Sequence, residues 1–292
     1  MEDKQTKPAA PAKKKSASSK YAWRRLGAVF IILLLIWWFN NYTLKTTKVE
    51  LRSNKVKEPI RLAVLSDQHA TKLGISNKRI ERRINDADPD IVMILGDMYT
   101  SGSDADLRQI PVDLAADIVS DGYPVYFVSG EHDTERSYIS NLRKAGVHVM
   151  NYESETLTVK GSKIAIYGVD NVYYSQTFDL SKEYTLDEKC FNILMAHIPN
   201  YEKFADFGAD LTLCADTHGC MVQLPFGLGP AFYSDAGTWF PHFTDKELEV
   251  YDKGLFSYDG GNMFITSGIG VSPFPIRFNN RPEIAVIDIL PE

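Results

Sequence analysis

The sequence predicts an α/β fold in which mixed sheets are covered by helices within one domain, and two observations carry that reading. In the first half, short β-rich runs end abruptly in acidic, His or Gly residues and are followed by helical stretches. In the second half the runs come in pairs around tight turns: Thr156–Lys160 and Lys163–Tyr167 flank Gly161-Ser162, and Gly254–Tyr258 and Met263–Thr266 flank Asp259–Asn262. The 292 residues admit one large domain or two small ones, and no repeat of fixed period divides them.

Taken in order, residues 1–20 are rich in Lys, Ala, Ser and Pro and have too little apolar content to fold, so a disordered basic tail is expected. Residues 1–25 hold eight Lys/Arg against Glu2 and Asp3, a net of +6 in a chain of −6, which leaves −12 for the remainder. That acidic remainder argues against nucleic acid as a partner, because non-specific binding needs a basic face. Leu26–Phe39 follows without a charge, and from Tyr21 to Tyr42 a helix would extend about 33 Å, roughly a hydrocarbon core with its edges. Trp23, Trp37, Trp38 and Tyr42 stand where interfacial aromatics belong, and Arg24 and Arg25 can snorkel. No small-x-small cleavage site follows. The expectation is an uncleaved transmembrane signal anchor over 21–42, with a cleaved signal peptide and a buried core helix as alternatives. The Lys/Arg excess ahead of the span places the N-terminus in the cytoplasm and the body outside, a single-pass protein of the cell membrane. Arg24-Arg25 gives only weak support to twin-arginine export. Residues 43–58 read as a polar linker, and 59–292 as the folded domain.

Within the domain, Arg61–Ser66 runs into Asp67-Gln68-His69. Ser76 is placed to N-cap a helix with Ile80, Ile84 and Ala87 on one face. Asp90–Leu95 enters Gly96-Asp97, and Asp104–Ser120 is helical with a break or kink expected at Pro111. Pro124–Ser129 enters Gly130-Glu131-His132-Asp133, with a helix near Glu135–Ala145. Asn192–Met195 then enters Ala196-His197, Asp210–Cys214 enters Ala215–Gly219, and Glu283–Leu290 closes the chain as a strand.

Five strand ends thus deliver metal-competent side chains: Asp67/His69, Asp97, Glu131/His132, His197 and Asp216/His218. Singly, each reads as a turn, a cap or a satisfied histidine. Their shared position changes the reading, since ligands in open α/β sheets gather at the carboxyl ends of strands. Mixed carboxylates and imidazoles suit Mn, Fe, Zn or Mg ions.

In this order D-x-H (67–69), G-D (96–97), G-x-H-D (130–133), A-H-x-P (196–199) and T-H-G (217–219) resemble the calcineurin-like metallophosphoesterases. The likeness runs from about residue 60 to the end. With Leu224–Gly227 (LPFG) and the tail SGIG…PIRF…RPEI (267–284), the chain is similar to a membrane-associated, YkuE-like bacterial phosphodiesterase branch. The resemblance implies a four-layer α/β/β/α sandwich with two mixed β-sheets and a two-metal centre at one edge. It assigns Asp67, His69 and His218 to one ion, Asp97 to both, and residues 131, 197 and 216 to the other. His132 is implied as a general acid or phosphate clamp rather than a ligand. The implied chemistry is in-line attack on phosphorus by a hydroxide bridging two ions.

Two positions depart from the family pattern. Glu131 stands where it has Asn, and Asp216 where it has His. Both changes fall on the second ion and add two negative charges to one coordination shell. Harder ions gain, so Mn²⁺ is favoured, with Fe, Zn, Mg or Ca as alternatives. The geometry of these two side chains discriminates an active enzyme with a rebuilt site from a metal-binding but catalytically feeble envelope protein. If they face Asp97 and His197 the site is rebuilt; if they turn away it is eroded. Gly219-Cys220-Met221, in place of the family's Gly-Gly-Gln, alters the rim.

Other candidates carry less. Arg277 is shaped to reach a substrate phosphate or to form a structural ion pair. Asn171 and His242 could line a cleft, and His148 reads as a strand residue without chemistry. Gly268 and Gly270 read as turn residues, since Pro273 and Pro275 argue against a helix start that would make them a phosphate loop. Cys190, Cys214 and Cys220 read as buried thiols, a Cys214–Cys220 bridge being the alternative. No Gly-x-Ser-x-Gly elbow is present. The expected function is therefore hydrolysis of a phosphomonoester or phosphodiester near the cell surface, the substrate a phosphorylated small molecule or a lipid or envelope phosphodiester.

Overall fold

The structure is a computed structural model that describes residues 17–170, 178–271 and 274–292. Asn171, Pro273 and the first five lysines of the basic tail lie outside the described residues.

The chain opens with α1 (Ala17–Tyr42), β1 (Lys45–Ser53), β2 (Ile60–Leu65), α2 (Asn77–Ala87), β3 (Ile91–Ile94), α3 (Ala105–Ser120), β4 (Val125–Phe127), α4 (Arg136–Lys144) and β5 (His148–Val149). It continues with β6 (Ser154–Val159), β7 (Ser162–Gly168), α5 (Leu180–Glu183), β8 (Phe191–Met195), α6 (Tyr201–Phe207) and β9 (Leu211–Cys214). It ends with β10 (Phe232–Tyr233), β11 (Thr238–Trp239), α7 (Pro241–Thr244), β12 (Gly254–Tyr258), β13 (Gly261–Ile265) and β14 (Glu283–Pro291).

Two mixed six-stranded sheets form, one in the order β1-β14-β2-β3-β4-β5 and the other β12-β13-β9-β8-β7-β6. The period-2 alternation of buried strands explains why they stack as layers. On β2, Leu62 and Val64 face the second sheet and join Ile166, Ile193, Leu213 and Phe264 in a central core. Their neighbours Ala63 and Leu65 face the other way and pack on Ile80 and Ile84 of α2 and Leu114 and Ile118 of α3. Leu194 and Ile265 turn outward from the second sheet onto Phe204 and Phe207 of α6. The result is the four-layer α/β/β/α sandwich with mixed sheets. Both anticipated hairpins form, β6–β7 and β12–β13, each antiparallel.

Several expectations are corrected. The stretch read as a linker contains β1, which pairs in parallel with β14 from Lys45↔Glu283 to Ser53↔Pro291. Its sequence looked like a spacer because an edge strand keeps one side and many side chains in water, so KTTKVELRS shows little apolar alternation. α3 runs on through Pro111, which is buried within it, instead of breaking. Ser76 stands at the N-cap of α2, but its hydroxyl makes no capping bond. The three cysteines are free, Cys190 and Cys214 buried and Cys220 half-buried.

From Tyr21 to Phe39, α1 is exposed along its whole surface, which excludes the buried core-helix alternative. Its last turns meet the domain. Asn41 accepts from the backbone N–H of Arg277 (2.8 Å) and donates to its carbonyl (3.1 Å), Asn40 accepts from Asn279 (2.7 Å), and the Trp37 indole donates to Pro275 (2.6 Å).

Candidate metal centre

The parallel strands β2, β3 and β4 of one sheet, and β8 and β9 of the other, release their chains at the same edge. Each is followed at once by the residues singled out above. The ligand loops are held in unusual backbone conformations: Asp67, His69, Asp97, Asp216 and His218 all have positive φ, between 40° and 67°. Non-glycine residues seldom adopt that region, and where several do so together the surrounding fold enforces it. Enforcement is visible at Gly130, where a Cβ would lie 2.2 Å from Asp97 Oδ1, and at Gly268, where one would lie 2.7 Å from Asp67.

The side chains converge. Donor atoms of Asp67, His69 and His218 lie within 4.8 Å of one another, as do those of Asp67, Asp97 and His197, and those of Asp97, Glu131 and Asp216. His197 Nε2 is 3.3 Å from Asp97 Oδ2, 3.7 Å from Asp216 Oδ1 and 3.8 Å from Asp67 Oδ1. His218 Nε2 is 3.8 Å from Asp67 Oδ1. Atoms bound at about 2.1 Å to one cation stand roughly 3–3.6 Å apart, so these sets need little adjustment to share an ion. Glu131 and Asp216 both turn toward Asp97, and Asp216 also toward His197.

The residues fit a cation on a stricter test. Both Asp67 carboxylate oxygens and His197 Nε2 are buried without any hydrogen-bond partner. An uncompensated buried charge costs several kcal/mol, so a group left this way calls for a positive partner. His197 Nδ1 donates to the Leu95 carbonyl at 2.5 Å, which leaves the Nε2 lone pair for a metal, the usual outer-shell arrangement for a ligating histidine.

The electrostatics agree. Burial pushes Asp67 up to about 7 and Asp216 up to about 6, so neither carboxylate ionises easily alone. Burial pulls His197 down, but the Asp97 carboxylate 3.3 Å away, with the charges of Asp67 and Asp216, overcomes it and pushes the imidazole up to about 10. In the absence of an ion, His197 takes up a proton in its place. His69 is driven down to about 4, chiefly by burial. His218 is driven well below its usual value by burial and then by the Arg277 charge. Both rings are thus neutral, the form a metal requires.

His132 is close to this group but differs from it. Its Nε2 is 3.9 Å from both Asp97 Oδ2 and Glu131 Oε1. Its Nδ1 accepts the backbone N–H of Ser101 at 3.0 Å, so the neutral ring carries its proton on Nε2 and presents a donor, not a lone pair, to the site.

Arg277 is not where a substrate could reach it. It is 1% exposed, and its guanidinium donates to the carbonyls of Gly270 (2.8 Å) and Ser267 (2.6 Å), with Nη2 3.4 Å from His218 Nδ1. It braces the loop beneath the site. His242 sits on exposed α7, with its ring against Gly229. His148 is exposed on β5 and pairs with Glu155.

Three contributors escaped the sequence reading. Asp133 is buried and accepts from the backbone N–H groups of Asp97 (2.6 Å) and Gly130 (3.0 Å), tying two ligand loops together. Thr100 Oγ1 lies 3.1 Å from His69 Nδ1, and Ser101 holds His132. Asp133 had a signal, its place in G-x-H-D; the hydroxyl pair after Gly96-Asp97 had none beyond position.

A double sheet whose strand ends gather carboxylates and neutral imidazoles around buried, unpartnered oxygens defines a metal-dependent hydrolase that binds divalent cations. The chain belongs to the calcineurin-like phosphoesterase family, whose profile matches residues 60–220. It is 24% identical over 259 residues to the metallophosphoesterase YkuE of Bacillus subtilis, covering 85% of this chain and 86% of that protein. It is 27% identical to YpbG of the same organism over 84% of this chain and 87% of that protein. Among solved structures, the NAD nucleotidase of Haemophilus influenzae is similar at 17% identity and a TM-score of 0.44 over 73% of this chain. The chain spans 46% of that nucleotidase's length, and the likeness is too distant to bear on function.

Proposed function

We propose that the protein hydrolyses a phosphodiester in preference to a phosphomonoester, using two divalent ions, and is held at the cell membrane by α1. The observation that carries the preference is the convergence of Asp97, Glu131 and Asp216, beside Asp67. Four carboxylates contribute −4, which two divalent ions would balance with +4. A site neutral overall offers little net attraction to a monoester dianion and penalises a diester monoanion less. Two bound ions would supply Lewis acidity and a deprotonated water, Mn²⁺ being favoured by the oxygen-rich donor set.

Asp67, His69 and His218 would hold one ion, Glu131, His197 and Asp216 the other, with Asp97 shared. His132 delivers the Nε2 proton to the departing oxygen, or donates to a phosphoryl oxygen, from an orientation set by Ser101. The buried walls around Asp67 and His197 keep bulk water from weakening these interactions.

The apolar, exposed α1 and the basic tail ahead of it support a single-pass anchor with a cytoplasmic N-terminus and an external domain. The substrate is then a phosphorylated small molecule or a lipid at that surface. The test is turnover of bis-p-nitrophenyl phosphate by the detergent-purified full chain loaded with Mn²⁺, Zn²⁺, Mg²⁺ or Ca²⁺. Metal-dependent turnover, lost in Asp97→Ala, is expected; no turnover under any loading overturns the proposal.

A further inference from the structure

The loop 274–281 connects α1 to the metal centre. Asn40 and Asn41 of α1 bond to its backbone at Asn279 and Arg277, and the buried Arg277 side chain reaches to 3.4 Å from His218. The same loop carries large apolar side chains into solvent. Phe274 is 66% exposed and Ile276 55%, on either side of Pro275, whose carbonyl accepts the Trp37 indole N–H. Phe278 is exposed as well, and its backbone exchanges hydrogen bonds with Met221 and Gln223. These bonds hold the LPFG loop alongside, and there Phe226 is 97% exposed. Asn279 Nδ2 secures that loop by donating to Leu224 O at 3.2 Å.

An apolar rim of this kind needs a non-aqueous neighbour. Its level relative to α1 identifies the neighbour. From Tyr21 to Tyr42 the helix rises about 33 Å, so its last turns, which carry Trp37 and Trp38, cross the outer interface of a bilayer spanned by α1. Phe274 and Ile276 flank the residue hydrogen-bonded to Trp37 and therefore lie at headgroup depth. Cations surround the base of the helix: Arg79 donates to the Tyr42 carbonyl, Arg281 lies 4.4 Å over the Phe39 ring, and Lys72 is exposed nearby. In a chain that is acidic elsewhere, this ring suits anionic headgroups. A groove of about 440 Å³ runs between Tyr42 and Pro275 on the membrane side and Gln68, His69 and Lys72 on the metal side.

We propose that the rim formed by Phe226, Phe274, Ile276 and Phe278 seats the domain on an anionic lipid leaflet, and that the groove beside His69 admits the phosphoester of a membrane lipid. The inference rests on the anchored phosphoesterase reading above and narrows its substrate to the lipid class. Water adds to phosphorus, one P–O ester bond breaks, and the leaving oxygen takes a proton, so the acyl or alkyl chain can remain in the bilayer throughout.

Two measurements on the full chain in phosphatidylcholine/phosphatidylglycerol nanodiscs test it. Nitroxides are attached at Phe226→Cys, Phe274→Cys and, as the far-end reference on the β12–β13 turn, Asp259→Cys. Oxygen should relax the first two labels more than a water-soluble nickel chelate does, with the reverse at 259. Labels at 226 and 274 that behave like 259 overturn the docking. So does exclusion of both reagents, which would mean that a second protein copy covers the rim. Separately, Mn²⁺-loaded protein is given hexadecyl p-nitrophenyl phosphate in the bilayer and ethyl p-nitrophenyl phosphate in solution. The bilayer ester should be hydrolysed at least tenfold more efficiently, and Phe226→Ser with Phe274→Ser should cut that ratio at least fivefold. Equal rates overturn the lipid assignment. If neither ester is hydrolysed, the phosphoesterase reading fails, while the nitroxide result still decides the docking.

Discussion

The backbone N–H of Ser101 lies 3.0 Å from Nδ1 of His132, and this one contact decides which face of the ring carries the proton. The imidazole points an Nε2–H at the space bounded by Asp97 and Glu131. His132→Ala should lower kcat by about 10²–10⁴-fold on diesters with alkyl leaving groups. The loss should be much smaller with p-nitrophenolate, which departs without a proton. A series of leaving groups of graded acidity measures this, and an equal loss across the series would show that His132 only clamps phosphate.

Removal of metal should make stability depend on pH with a definite sign. His197, pushed up to about 10 without an ion, holds a proton in the folded state that the unfolded chain releases near 6.5. Its contribution is full below pH 6.5 and is lost as the pH climbs toward 10. Asp67, raised to about 7 from 3.8, has the same sign between those values. His69, lowered to about 4, runs the opposite way, but only below pH 6.5. Above that point the fall is unopposed. The Tm of chelator-treated protein should drop steadily from pH 7 to 9, and saturating Mn²⁺ should flatten the curve by taking the proton's place. A rising Tm for the metal-free form would contradict the buried acid–histidine cluster.

Glu131→Asn with Asp216→His removes two negative charges from the site. At 4–6 Å and an effective dielectric near 20, each charge is worth roughly 3 kcal/mol per unit of phosphate charge, so roughly 3 kcal/mol separates a dianion from a monoanion before solvent screening. With the exposed Glu131 discounted, kcat/KM for p-nitrophenyl phosphate should rise roughly ten- to a hundredfold relative to bis-p-nitrophenyl phosphate. Zn²⁺ should gain on Mn²⁺ in competition binding. An unchanged monoester-to-diester ratio would detach substrate charge from these two positions.

Arg277→Met should destabilise the fold by about 2–5 kcal/mol. It strands the carbonyls of Ser267 and Gly270, and a buried acceptor left without a donor costs roughly 1–3 kcal/mol. Arg277→Lys should fall between the two, since an ammonium cannot reproduce the guanidinium fork. Urea denaturation reads this directly. An Arg277→Met protein of full stability but weakened substrate KM would restore the phosphate-contact role that its burial argues against.

How much of the site was legible varied with the range of the information. Asp67 and His69 could be read because RLAVLS is a buried strand by pattern and the residues that end it are polar. The same holds for Asp97 after DIVMIL and His197 after FNILMA. Hairpins announced themselves through glycine at the turn. β1 was invisible because nothing within KTTKVELRS reports that β14 lies ready to pair with it. Arg277 was legible only as a phosphate contact or a structural ion pair, because its burial depends on Asn41, 236 positions away, and on carbonyls that face inward. Ser101 and Asp133 were missed because their work is done through backbone amides, which every residue possesses.

The amino-acid order alone determined the kinds of elements, the chemistry waiting at their ends and the apolar character of α1, because each is written in the periodicity of neighbouring residues. Folding decided that Asp67, Asp97, His197 and Asp216 share one space, that Glu131 joins them, and that α1 and the exposed phenylalanines adjoin the same loop. Those outcomes follow from the order in which strands lie side by side and from backbone forced to positive φ at Asp67, His69, Asp97, Asp216 and His218. Such relations arise only when distant segments compete for the same core, so no local pattern encodes them.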